Sequence, residues 1–496
     1  MRLRLKGARV VDPGSIDDYK DIIIFDGMIE AVIDPSSPYP PVMLDSSDPS
    51  SVTKGLKSEE NDTNYSEAGK IGVDNFPVEE GDTNYSEKGK VEASPTVSGE
   101  GYTNCSKEAD ITEIDLAGMV VVPGLIDMHV HLREPGQEYK ETIETGLKAA
   151  ARGGFTAVCP MPNTNPVNDN AQITAFMVNR AKSLGGTRLY PVGAITRGLK
   201  GENLAEYGDM KQAGIVAITD DGRPVENARV MRRAMEYARG LGIPVISHAE
   251  DLSLAGDGSM NEGIVATRLG IKGIPNAAES TVVMRDIALA ELTGARLHIA
   301  HVSCEESVDA IRQGKKRGVN VTAETAPHYF TITDEAVAEY DTNAKMNPPL
   351  RTEQDRLAVI EGLSDGTLDI IATDHAPHSL LEKDVEFDRA AFGIVGLETA
   401  LGLSLQLVNN GSLTFDELIE KMSKKPAALL NINNDIVPGN PADLTIIDPD
   451  AFWSVNPETF FSKGRNTPFA GYHLRGEVYM TMVQGTIAYH RTDGGQ

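Results

Sequence analysis

The run Asp127-Met128-His129-Val130-His131 places two imidazoles at positions i and i+2 of an apolar stretch. In an extended strand such residues share a face, so His129 and His131 together offer half of a zinc site. Alone the pair says little, because neighbouring histidines are more often surface or satisfied core groups. Ligand-type residues recur, however, where other apolar runs end. GIVAITDD ends in Asp220-Asp221, PVISHAE carries His248, RLHIAHVS carries His301 and LDIIATDHAP carries Asp374-His375. Four of these imidazoles with two of the carboxylates are already more than one tetrahedral ion takes. They suit two ions that share a carboxylate and a hydroxide, which makes a nucleophile at neutral pH. Asp220 and Asp221 point to opposite faces of their strand, and spacing does not choose which one bridges.

Stepping along the chain, eight short apolar runs lie between residues 120 and 430: VVVPGLIDMHV, FTAVCPM, LYPVGAI, GIVAITDD, PVISHAE, RLHIAHVS, NVTAETA and LDIIATDHAP. Stretches such as ENARVMRRAMEYARGLG, apolar at helical spacing, separate them. Eight strand–helix units predict an α/β fold, a (β/α)8 barrel over 123–430, whose active face lies at the C-terminal strand ends. Residues 1–34, 113–122 and 431–496 alternate apolar and polar positions between turns, and predict one small β-rich domain into which the barrel is inserted. Residues 35–112 differ. They hold 15 Asp/Glu against 6 Lys/Arg, and DTNYSEAGKI, DTNYSEKGKV and YTNCSKEADI recur at a 20-residue period from Asp62. So few apolar residues cannot bury a core, which predicts a disordered acidic insertion rather than a solenoid.

The formal charge of -27 argues against nucleic acid or an anionic membrane as partner, since both select for Lys and Arg. Three scattered cysteines, Cys105, Cys159 and Cys304, form neither a disulfide framework nor a CxxC metal site. No signal-peptide core and no run of 18 apolar residues is visible, so a soluble cytoplasmic protein is expected.

PGLIDMHVHLREPG (123–136), MPNTNP (161–166), TDDG (219–222), SHAED (247–251), AHVS (300–303), MNPPLR (346–351) and TDHAPH (373–378) resemble the bacterial type I dihydroorotases of the amidohydrolase superfamily. The likeness covers the chain except for roughly 35–110. It implies two Zn2+ ions: His129, His131 and Asp374 on the first, His248 and His301 on the second, and Asp221 bridging. It further implies that Arg133 and Asn163 bind a substrate carboxylate with Asn347 and His378 nearby, that His131 adjoins the substrate, and that the backbone at Phe392-Gly393 meets a pyrimidine ring. An Arg fork beside an amide donor is chemically apt for a carboxylate. The alternatives are an Arg133 ion pair with Glu134 or Glu138 and a solvent-exposed His378.

The implied reaction is reversible hydrolysis of (S)-dihydroorotate to N-carbamoyl-L-aspartate in pyrimidine synthesis, with a bridging hydroxide as nucleophile and Asp374 as general acid and base. Hydantoinase, dihydropyrimidinase and allantoinase resemble the chain in fold and HxH motif, but many bridge their metals with a carboxylated lysine, and GIVAITDDG has none. A non-catalytic scaffold for aspartate transcarbamoylase ranks lower, because every expected ligand is present. Association with that transcarbamoylase and a homodimer are both compatible with activity. Among the remaining polar residues, His298 is expected to face away from the metals, and Asp127 either orients a ligand or lies in the barrel floor. Trp453 and the tail aromatics are expected to pack the small domain.

Overall fold

Alternating apolar residues build β1 (Arg2–Asp12), β2 (Ile16–Phe25) and β3 (Met28–Ile33), each antiparallel to the next. The computed structural model describes residues 2–37 and 111–491, so the three acidic repeats lie outside the described residues. The chain re-enters as β4 (Ile111–Asp115), parallel to β1 from Arg2↔Ile111 to Lys6↔Asp115, followed by β5 (Val120–Pro123). Ile111 and Thr112 therefore belong to the sheet and not to the insertion. β4 is mostly exposed, so its polar sequence ITEID reads like the segment before it.

The central strands are short. They are β6 (Leu125–Val130), β7 (Phe155–Pro160), β8 (Arg188–Leu189), β9 (Val192–Gly193), β10 (Ala217–Ile218) and β11 (Val245–Ser247). A two-stranded ribbon, β12 (Met260–Asn261) and β13 (Gly273–Ile274), precedes β14 (Leu297–Ile299), β15 (Val321–Thr325) and β16 (Ile370–Ile371). β9, β10, β11, β14, β15 and β16 pair in that order as one parallel sheet, and β6, β7 and β8 form another. Only Tyr190 and Pro191 separate β8 from β9, and Val130 bridges His375 in parallel just past β16. Parallel neighbours require crossovers, and helices supply them. Those at Ile143–Arg152 and Glu353–Ser364 start at Thr142 and Thr352, each with a reciprocal capping box.

Strands covered on both faces read as continuous apolar runs, and every residue of β6 and β7 is buried. One apolar cluster joins strands to helices. A second comes almost wholly from the strands (Ile126, Met128, Ala157, Cys159, Val192, Ala217, Ile246, Ala300, Ile370 and Ala372), with Ala427 and Leu430 against it.

The chain ends in β17 (Leu444–Ser454), β18 (His473–Val483) and β19 (Thr486–His490). They complete the first sheet in the order β19-β18-β17-β5-β1-β2-β3, with β4 against β1. N- and C-terminal segments thus meet through β5 and β17. The tail is not confined to that sheet: residues 455–472, too long for a tight hairpin, reach the loops around the polar cleft described next. Trp453 donates to the Gly476 carbonyl within the sheet. Among the described residues no helix is long and apolar enough to cross a membrane.

Candidate metal centre

His129 is the penultimate residue of β6 and His131 lies one residue beyond that strand, Asp221 follows β10, His248 follows β11, His301 follows β14 and Asp374 follows β16. The strands bring these six side chains to one buried point. Asp221 is its centre. Its Oδ1 lies 3.3 Å from His129 Nε2, 3.4 Å from His248 Nδ1 and 3.7 Å from His301 Nε2, while Oδ2 lies 3.5 Å from His131 Nε2. Two ligand sets result, His129/His131/Asp221 and Asp221/His248/His301, with Asp221 common to both. Asp374 Oδ1 sits 3.1 Å from His131 Nε2 and 3.6 Å from His129 Nε2, beside the first set.

The donor chemistry fits divalent cations of the zinc type. His129 Nε2 is buried without a hydrogen-bond partner, and His248 Nδ1 and His301 Nε2 face each other at 2.8 Å. Imidazole nitrogens gathered on one carboxylate are what an imidazole-preferring ion requires. Burial opposes charge on His129 and His248, but the surrounding carboxylates outweigh it, lifting His129 well above its usual range and His248 to about 10. Burial also opposes ionisation of Asp221 and Asp374, and the imidazoles override it, holding both below the usual carboxylate range.

A layer of carboxylates aims the ligands. Glu324, on β15, lies 2.8 Å from His129 Nδ1 and 3.1 Å from His298 Nε2. Burial would raise its pKa, but these two bonds hold it at about 2. An ionised carboxylate only accepts, so both ring nitrogens that face it carry hydrogen. His298 is accordingly turned from the ligand cluster and supports it through Glu324. Glu250 faces His248 Nε2 at 3.5 Å and accepts 3.2 Å bonds from Asn347 Nδ2. Asp127 accepts from the backbone N–H groups of His129 and Thr373, both at 3.1 Å, and from Thr373 Oγ1 at 2.5 Å, which ties β6 to the Asp374 segment. Neither Glu324 nor Glu250 stood out in the sequence; the signal was a carboxylate inside the apolar run NVTAETA and another in SHAED.

Three residues here adopt left-handed backbone without being glycine: Arg133 (φ 62°), His301 (φ 36°) and Asp374 (φ 48°). Such conformations cost about 1–3 kcal/mol each and persist where surrounding bonds impose them. Gly136 (φ 95°) ends the LREPG loop, where a Cβ would lie 1.8 Å from the Asn165 carbonyl oxygen, so only glycine lets this loop pack on MPNTNP.

A cavity of about 210 Å³ opens over the cluster, lined by His131, Arg133, Asn163, Asn347, His378 and Phe392-Gly393 among others. Arg133 and His378 are buried, not on the surface. Arg133 donates to the Pro377 carbonyl at 3.2 Å, approaches His378 Nε2 at 3.3 Å, and has no carboxylate within 4.0 Å among the described residues, Glu134 and Glu138 included. Burial, then Arg133, Lys140 and Lys383, press His378 down to about 2, so the ring is neutral; its Nε2 lies 2.8 Å from the Phe392 carbonyl oxygen. Asn163 spans the two parts of the site, with Oδ1 2.9 Å from His131 Nδ1 and Nδ2 3.3 Å from Asp221 Oδ2. Asn466, from the β17–β18 loop, accepts from His378 N–H and donates to the Ala376 and Gly393 carbonyls, all at 3.0 Å.

A family model described as dihydro-orotase-like matches residues 118–307. A dihydroorotase of Desulforapulum autotrophicum is 61% identical over 491 residues, covering 99% of this chain and 100% of its own length. A dihydroorotase of Syntrophotalea carbinolica is 58% identical over 386 residues, 78% of this chain and 91% of that one. Among solved structures, an L-hydantoinase (dihydropyrimidinase) from Arthrobacter aurescens matches with a TM-score of 0.76 at 23% identity, covering 99% of this chain and 96% of that one, a likeness of fold.

Proposed function

This chain belongs to the dihydroorotase family, and we propose that it is a two-zinc enzyme that hydrolyses (S)-dihydroorotate reversibly to N-carbamoyl-L-aspartate. One observation carries the reading: Asp221 is shared by two ligand sets in the cavity that holds Arg133, a buried guanidinium with no carboxylate within 4.0 Å among the described residues. The first feature suits metal-assisted hydrolysis, and the second suits an anionic substrate. The near-continuity of β8 with β9 and the Val130–His375 bridge support a closed eight-stranded barrel beneath the site.

Two Zn2+ ions held by His129, His131, Asp221, His248, His301 and Asp374 would supply Lewis acidity and an activated water. The remaining work falls to the chain. Arg133, with Asn163, Asn347 and His378 around it, binds the substrate carboxylate through directed charge-assisted bonds. The Phe392-Gly393 backbone meets the ring. Asp374 takes the proton of the attacking water and gives it to the ring nitrogen as the C–N bond breaks, because an amide nitrogen leaves poorly without it. Three scattered cysteines suit a reducing, cytoplasmic setting.

The test is metal content and turnover of the purified chain on dihydroorotate, hydantoin and allantoin side by side. Two ions per chain and preference for dihydroorotate are expected. Asp374→Asn should keep its metal and lose about 10²- to 10⁴-fold in turnover; near-normal turnover would remove Asp374 from the mechanism, and preference for hydantoin would replace the substrate.

A further inference from the structure

Two lysines lie almost fully buried beside the cavity, Lys345 at 2% exposure and Lys383 at 4%. Neither is paired with a carboxylate within 4.0 Å among the described residues. Lys345 Nζ donates to the carbonyls of Phe387 at 2.8 Å and Asp388 at 2.9 Å. Lys383 Nζ donates to those of Ala391 at 2.8 Å, Gly393 at 3.0 Å and Lys345 at 3.3 Å. Lys345 Nζ also stands 4.4 Å from the Phe392 ring centroid and 5.5 Å from that of Phe387.

Burying an ammonium is costly unless hydrogen bonds replace its water, and two like charges so close make it costlier. What the pair gains is the loop 384–393. That loop has no regular ladder to satisfy its carbonyls, and the lysines take four of them. The backbone closes the arrangement: Gly393 N–H donates to the Lys345 carbonyl at 2.9 Å and Ala391 N–H to that of Glu382 at 3.0 Å. Gly393 itself (φ 123°) has no room for a side chain, since a Cβ would lie 2.6 Å from Ala376 Cβ. Phe392 and Gly393 are therefore gripped from both sides.

We propose that Lys345 and Lys383 are positioning residues for substrate recognition: as a carbonyl-bound pair they hold the Phe392-Gly393 wall against the cavity, and their charge favours an anionic occupant. The proposal rests on the reading of this cavity as the dihydroorotate site. Neither lysine touches the ligand cluster, so the pair acts on substrate fit and not on metal loading.

The test uses Lys383→Met and Lys345→Met in the full chain. Amide exchange across 384–393 should quicken by about 10-fold or more, above all at Ala391 and Gly393, as expected when a loop loses its local anchors. KM for dihydroorotate should rise about 10-fold while kcat stays within about 3-fold, the mark of lost substrate binding rather than lost chemistry. Metal content should not change. Unaltered exchange in both variants, an unaltered KM with a loosened loop, or loss of metal would overturn the proposal, as would failure of both variants to fold. A wild-type chain inactive on dihydroorotate would instead defeat the substrate reading, and the exchange measurement would still judge the grip on the loop.

Discussion

Glu324 Oε1 lies 2.8 Å from His129 Nδ1, a bond that fixes which imidazole nitrogen turns toward Asp221. With hydrogen on Nδ1, the Nε2 lone pair is presented to the ligand cluster. Glu324→Gln would keep the shape but offer an amide whose NH2 can meet Nδ1–H donor to donor. Metal affinity should fall about 10- to 100-fold, as for other carboxylates behind a ligating histidine. Competition with a chelator of known affinity measures it; unchanged affinity would show that Glu324 serves packing alone.

Asp220 and Asp221 are neighbours with separate duties. Asp220 accepts from the Thr196 backbone N–H at 2.9 Å and from the Thr196 hydroxyl, away from the histidines that meet Asp221. Asp221→Asn should therefore lower metal stoichiometry below two per chain. Asp220→Asn should leave the metal in place and lower stability by about 1–3 kcal/mol, the penalty for disturbing buried hydrogen bonds. Metal analysis and denaturant unfolding on the two proteins separate these outcomes.

That division marks the limit of what the sequence discloses. The HxH pair and the strand-end ligands are legible because parallel strands gather their C-terminal ends on one side, and the apolar runs announce the strands. Which of two adjacent aspartates turns to the histidine cluster depends on the local path after a two-residue strand, and alternation does not resolve it. Asn466 and Ser462, whose hydroxyl donates to Glu141 Oε2 at 2.5 Å, were beyond reach for another reason. They come from the far end of the chain, and only the sheet pairing of β5 with β17 returns that end to the site. Lys345 and Lys383 gave no signal, since buried lysines bound to carbonyls look like surface lysines in a sequence.

Arg133 donates to the Pro377 carbonyl at 3.2 Å and approaches His378 Nε2 at 3.3 Å, and its guanidinium lines the cavity. Arg133→Met, similar in length and uncharged, should raise KM for dihydroorotate about 10- to 100-fold, in line with the loss of one or two charge-assisted bonds. Turnover at saturation should change less. A substrate analogue lacking the carboxylate should show little difference between wild type and variant. Equal losses on both substrates would mean that Arg133 supports the loop and not the carboxylate.

The lysine pair also sets a pH dependence of stability. Burial brings Lys383 to about 7 and Lys345 to about 8, against an ordinary 10.5. Lys383 is further lowered by Lys345, while Asp341 and Glu382 oppose that, and Asp388 opposes the shift at Lys345. Burial, helped by Arg133, Lys140 and in turn Lys383, keeps the nearby His378 neutral. Between about 7 and 10.5 the unfolded chain binds more protons at these positions than the folded one. Folding stability therefore rises with pH through that window, and the contribution is lost as pH falls through about 8 and then 7. Lys383→Met removes one of the two groups. Its stability relative to wild type should be most favourable near pH 6.5 and decline steadily toward pH 9.5, even though lost hydrogen bonds lower it throughout. Denaturant unfolding of both proteins at three pH values measures this difference while cancelling the titration of other groups. A difference that stays flat from pH 6.5 to 9.5 would mean that Lys383 keeps an ordinary pKa in its buried place, and that water reaches the pair.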